Sequence, residues 1–135
     1  TVVTSFDVGG DALARKTTLD LGGYVEDIQA TPGTLLVSST DWNNSTERSS
    51  VAVVDISDPS GEMKLGDQVN ASGRVGSQFN MDLYNGVLRV VSSTTWDGQN
   101  QIETFDASDL ADLKPIDACT FGAGQQLYAT LFLQN

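Results

Sequence analysis

The chain has no histidine and a single cysteine, Cys119. The first absence removes His-based catalytic triads and the common zinc sites. The second leaves no partner for an intrachain disulfide. A serine nucleophile would then need lysine as its base, and no Ser-x-x-Lys occurs. Basic residues are scarce, 7 against 18 acidic, for a formal charge of −11. Phosphate binding needs a basic patch, so this balance argues against nucleic acid and against an anionic membrane surface. It favours a solvated acidic surface that repels its own kind and suits cations or cationic partners. No run approaches the roughly 20 apolar residues of a membrane-spanning helix.

What is present is a repeated β pattern. Length 135 suits one domain, and 13 glycines fit a globular β protein with many turns. The clearest unit runs from Gln78 to Thr94. Phe79, Met81 and Leu83 alternate with Asn80, Asp82 and Tyr84, the period of a strand buried on one face. Asn85-Gly86 follows, the pair best suited to the two positive φ angles of a tight hairpin. Val87 to Val91 then returns as a second strand.

The same plan recurs upstream. Pro32-Gly33 aligns with Asn85-Gly86, and Leu35 to Thr40 aligns with Arg89 to Thr94. The connections holding Trp42 and Trp96 correspond. Val54-Asp55-Ile56-Ser57 aligns with Phe105-Asp106-Ala107-Ser108, and Phe6-Asp7-Val8 is a third copy. Units of about 40–50 residues with four short strands each are the mark of propeller blades. The expected fold is all-β, a partial β-propeller with about ten antiparallel strands. Residues 1–21 read as two outer strands of one blade, 24–75 and 78–120 as complete blades, and 126–135 as the first strand of the next. Both ends read as cuts through a continuing fold, as in a fragment or processed piece. Open blade edges are expected to favour self-association.

The run Gly76 to Val90 resembles the blade motif of bacterial and archaeal secreted proteins with a C-terminal β-propeller domain, distantly related to WD-repeat proteins. Phe121-Gly122-Ala123-Gly124-Gln125-Gln126-Leu127-Tyr128-Ala129 looks like the start of the following blade. The resemblance implies an extracellular or cell-envelope location and carries over no catalytic residues. Asn43, Asn44 and Asn70 each begin an Asn-x-Ser/Thr sequon, which is uninformative in a bacterial protein.

Candidate sites are few. Asp41, Asn43, Ser45 and Glu47 place oxygen donors at alternate positions, as calcium loops do. The stretch lacks the glycine and the distal glutamate of an EF-hand, and reads first as a solvated hairpin connection. Asp7, Asp55 and Asp106 recur once per blade and are expected to close turns by accepting backbone N–H bonds. Trp42 and Trp96 are candidate partner-binding residues, able to stack on a sugar or anchor a protein; the alternative is that they cover the edge of the blade. Eighteen acids offer many carboxylate pairs, but no spacing selects two for glycosidase chemistry. The expected role is therefore a non-catalytic scaffold that binds a protein or glycan partner through blade loops. The alternative is part of an enzyme, or of a calcium-binding module. The expected core comprises Phe79, Met81, Leu83, Leu88, Val90, Val51 or Ala52, Val54, Ile56, Phe105 and Leu131, with Cys119 a small core residue beside Ile116, Ala118 and Phe121.

Overall fold

The computed structural model describes residues 1–40, 47–94 and 97–134. Its strands are β1 (Val2–Asp7), β2 (Ala14–Asp20), β3 (Tyr24–Thr31), β4 (Thr34–Thr40), β5 (Ser49–Asp55), β6 (Lys64–Asn70), β7 (Met81–Tyr84), β8 (Val87–Ser93), β9 (Asn100–Asp106) and β10 (Lys114–Phe121). They form three antiparallel sheets: β1-β2, β3-β4-β5-β6 and β7-β8-β9-β10. Each four-stranded sheet is a meander in sequence order, the form of a propeller blade. No helix among the described residues is long and apolar enough to cross a membrane.

Turn chemistry sets the inner hairpins. Asn85 and Gly86 adopt φ of 49° and 73°, so β7 and β8 are joined by a two-residue loop with both residues left-handed. In the equivalent position Gly33 carries the positive φ, at 77°, after Pro32. The third strand is tied to each turn. Ile56 N donates to the Gly33 carbonyl (2.9 Å), and Ala107 N donates to that of Gly86 (2.7 Å).

The near-continuous apolar runs of β4 and β5 give the middle sheet two apolar faces, and its neighbours stack on them. Leu36, Val51, Val53 and Val69 of the middle sheet pack against Met81, Leu88, Val90, Phe105 and Leu113 of the last sheet and its loops. On the opposite face, Val37, Val54 and Met63 meet Val3 and Leu19 of the β1-β2 sheet. A side chain such as Val53 or Leu88, fully removed from water, contributes about 1.5–3 kcal/mol by burial. Polar groups fix the angle between neighbours. Asp67 N donates to the Leu110 carbonyl (2.7 Å), while its carboxylate accepts Leu113 N (3.0 Å). The buried Glu103 carboxylate accepts both the N–H (2.9 Å) and the hydroxyl (2.8 Å) of Ser72.

Three expected core residues lie elsewhere. Phe79 is 62% exposed because a 3₁₀ turn, Gln78–Asn80, precedes β7 and turns Asn80 inward instead. Leu131 is 82% exposed. Residues 122–134 make no strand ladder; Thr130 and Phe132 face the last sheet, so Leu131 and Leu133 face away. Cys119 is exposed because β10 is the outer edge strand, with every residue exposed.

Candidate functional site

Antiparallel meanders place alternate connections at opposite ends. The hairpins at Gly33 and Gly86 and the loops 8–13, 56–63 and 107–113 share one end. The other end carries the C-terminal ends of β4 and β8, the connections that link successive sheets, and the start of the trailing segment.

At the first end the recurring aspartates do structural work. Asp7 accepts Gly9 N (2.9 Å), Asp55 accepts Ser57 N (2.8 Å) and Asp106 accepts Ser108 N (2.9 Å). Each carboxylate therefore closes the turn after its strand, β1, β5 or β9, as the sequence pattern implied. These bonds favour the ionised form and hold all three below the ordinary carboxylate value.

The second end contains a cavity of about 460 Å³, between the last sheet, the connection preceding it and the trailing segment. Its lining includes Arg74, Asn80, Asn100, Gln125, Gln126 and Tyr128. Asn100 opens β9 and is buried. Its amide donates to the carbonyls of Gly122 (3.2 Å) and Gln125 (2.9 Å), and its oxygen accepts the Ser93 hydroxyl (2.7 Å). Asn80 is fixed in the same manner: its oxygen accepts from Ser77 (2.9 Å) and its amide donates to Thr130 (2.7 Å). Gly124 N donates to the Gly98 carbonyl (2.9 Å), which draws the trailing segment onto the β8–β9 connection. Arg74 at the rim pairs with Glu26 (3.0 Å), whose carboxylate also accepts the Thr40 hydroxyl (2.7 Å).

This arrangement can hold a polar ligand, and among the described residues of its lining no nucleophile sits beside a base. Among the described residues, no three His, Cys, Asp or Glu side chains gather as a metal site. Of the calcium candidates, Asp41, Asn43 and Ser45 lie outside the described residues, and Glu47 lies within them at φ 44°. Trp42 and Trp96 also lie outside the described residues.

Sequence reasoning missed the cavity because its residues come from segments far apart in the chain. One signal was available: Asn100 and Ser49 are polar residues that begin third strands, and a polar group buried there must find partners beyond its own sheet.

No curated protein and no solved structure was found to match the chain. A family model described as the beta propeller domain matches residues 1–135. With three stacked antiparallel sheets in which β1, β5 and β9 each end in the same aspartate turn, the chain belongs to the β-propeller domain family.

Proposed function

We propose that this β-propeller chain is a non-catalytic, secreted or envelope-located scaffold that binds a protein or glycan partner through the end carrying the cavity. The observation that carries this reading is the composition of that cavity. The chain has 18 acidic residues, yet among the described residues none lines it; amides, hydroxyls, glycines, Leu127, the Tyr128 ring and one guanidinium do. A concave site with fixed polar groups is where a partner finds both shape and hydrogen bonds. At the opposite end the polar groups are committed to closing turns. The resemblance to secreted propeller proteins supports the location.

A labelling experiment tests which end binds. In a Cys119→Ser background, a bulky maleimide is attached at Gln126→Cys, beside the cavity, or at Ser60→Cys, at the opposite end. Each protein is then presented to an array of glycans and to exported proteins of the source organism. Loss of binding with the first label alone supports the reading. Loss with the second label alone contradicts it.

A further inference from the structure

We propose that the cavity between Asn80, Asn100 and the trailing segment is a binding site for a neutral saccharide. The inference rests on the loop-end reading above and narrows it to one ligand class.

Size is the first consideration. At about 460 Å³ the cavity falls in the roughly 300–1,000 Å³ range of small-ligand sites. Its chemistry is the second. A sugar offers adjacent hydroxyls, each both donor and acceptor, and planar amides match such pairs because each presents an acceptor oxygen and two donor hydrogens. Gln125 and Gln126 supply such amides at the mouth, and both are exposed. A sugar also has a C–H face that packs on an aromatic ring. Tyr128 lines the cavity and is 88% exposed, a large amphipathic ring left open at its edge.

Charge excludes the competing ligands. Among the described residues Arg74 is the single charged one in the lining, and the Glu26 carboxylate neutralises it at 3.0 Å. Asp97, which accepts Gln99 N (3.2 Å), adds negative charge on the neighbouring connection. A phosphate or carboxylate ligand would meet that charge within a protein of −11. A metal ion would find no carboxylate among the described residues of the lining. A lipid tail would have to bury the amides without partners. An uncharged polyol meets none of these penalties.

The site is also held in shape before any ligand arrives. Asn100 and Asn80 are locked by the bonds described above, and Gly98 and Gly124 pack backbone on backbone. A Cβ at Gly98 would lie 3.1 Å from the Gly124 Cα. Fixed walls reduce the ordering cost of binding.

The test is an NMR titration of the chain with cellotetraose, maltotetraose and chitotetraose, each up to about 10 mM to capture millimolar affinity. A trigalacturonate serves as the anionic comparison. Support would be amide shifts confined to Ser93, Gly98, Asn100 and residues 124–128 with at least one neutral sugar. Tyr128→Ala, at a solvent-exposed position, should then weaken binding about tenfold or more, and Gln126→Ala should weaken it less. Either variant with unchanged affinity would remove that residue's role and overturn the site as drawn. A response to trigalacturonate alone would overturn the neutral class. No response to any sugar, with the Gln126 label still blocking a protein partner, would overturn the saccharide inference and leave the loop-end reading standing. Blocking by the Ser60 label would overturn both.

Discussion

Ser49 and Asn100 occupy the same position in successive sheets, and each holds the connection that leaves its own sheet. Ser49 pairs with Thr40 across β4 and β5; Asn100 pairs with Ser93 across β8 and β9. The Ser49 hydroxyl lies 3.0 Å from that of Thr40 and accepts Val75 N (3.0 Å). Asn100 accepts the Ser93 hydroxyl and donates to two carbonyls of the trailing segment. A short serine suffices where the connection runs close. An asparagine, longer and with two donors, reaches the wider path of 122–125. The repeat is thus maintained by polar latches as well as by apolar faces.

Replacing the second latch should release what it holds. Asn100→Ala strands the carbonyls of Gly122 and Gln125, an expected cost of about 1–3 kcal/mol. Hydrogen exchange should accelerate at Gly124 and Gln125 before it does in β8. Unchanged exchange there would show that Arg89 and Asn80 hold the segment unaided; Arg89 pairs with Asp82, donates to the Leu133 carbonyl (3.3 Å) and sits 4.9 Å over the Phe132 ring.

Close packing between the two blades gives a second expectation. A Cβ added at Gly66 would collide with the Leu110 carbonyl oxygen and lie 3.1 Å from that of Val53. Backbone cannot yield as a flexible side chain does. Gly66→Ala should therefore destabilise the fold by about 1–3 kcal/mol in chemical denaturation. An unchanged midpoint would mean that the faces are not seated as described.

Acid should weaken the fold through its turns. Asp7 is held low chiefly by Gly9 N–H, Asp55 by the hydroxyl and then the N–H of Ser57, and Asp106 by the N–H and then the hydroxyl of Ser108. The folded values lie below the ordinary 3.8. Their stabilisation is complete above that value and disappears as pH falls through the lower, folded ones. Thermal stability should stay level down to about pH 5 and fall below about pH 4. Asp55→Asn should flatten part of that fall; an identical acid profile would deny the turn its role.

How much of this was legible in the sequence depended on distance along the chain. The hairpins were, because Asn85-Gly86 and Pro32-Gly33 are local chemistry. The aspartate turns were too, since Asp55 and Ser57 are two residues apart. Phe79 misled because its alternation with Met81 continues across a boundary between a 3₁₀ turn and a strand, and periodicity alone does not show where a strand begins. Cys119 misled because an apolar neighbourhood in sequence says nothing of whether a strand is central or at an edge. The cavity was illegible because Asn80 meets Thr130, fifty positions away, only once the trailing segment has folded back onto the last sheet.

Open edges bear on the isolated 135-residue chain. Among the described residues β1 pairs on one side alone, with β2, and Val2 and Phe6 on it are 58% and 53% exposed. We expect such an edge to recruit a strand from a second copy. Repulsion at −11 opposes this, so association should strengthen with salt. Sedimentation across protein and salt concentrations checks it; a monomer throughout would show that the edge is protected.

The central claim is that partners engage the end bearing the cavity. Site-specific photo-crosslinking in the source organism tests it most directly, with a photoreactive residue placed at Gln126 or at Ser60. The account predicts covalent adducts from Gln126 and none from Ser60. Adducts from Ser60 alone, or none from either position, would contradict it.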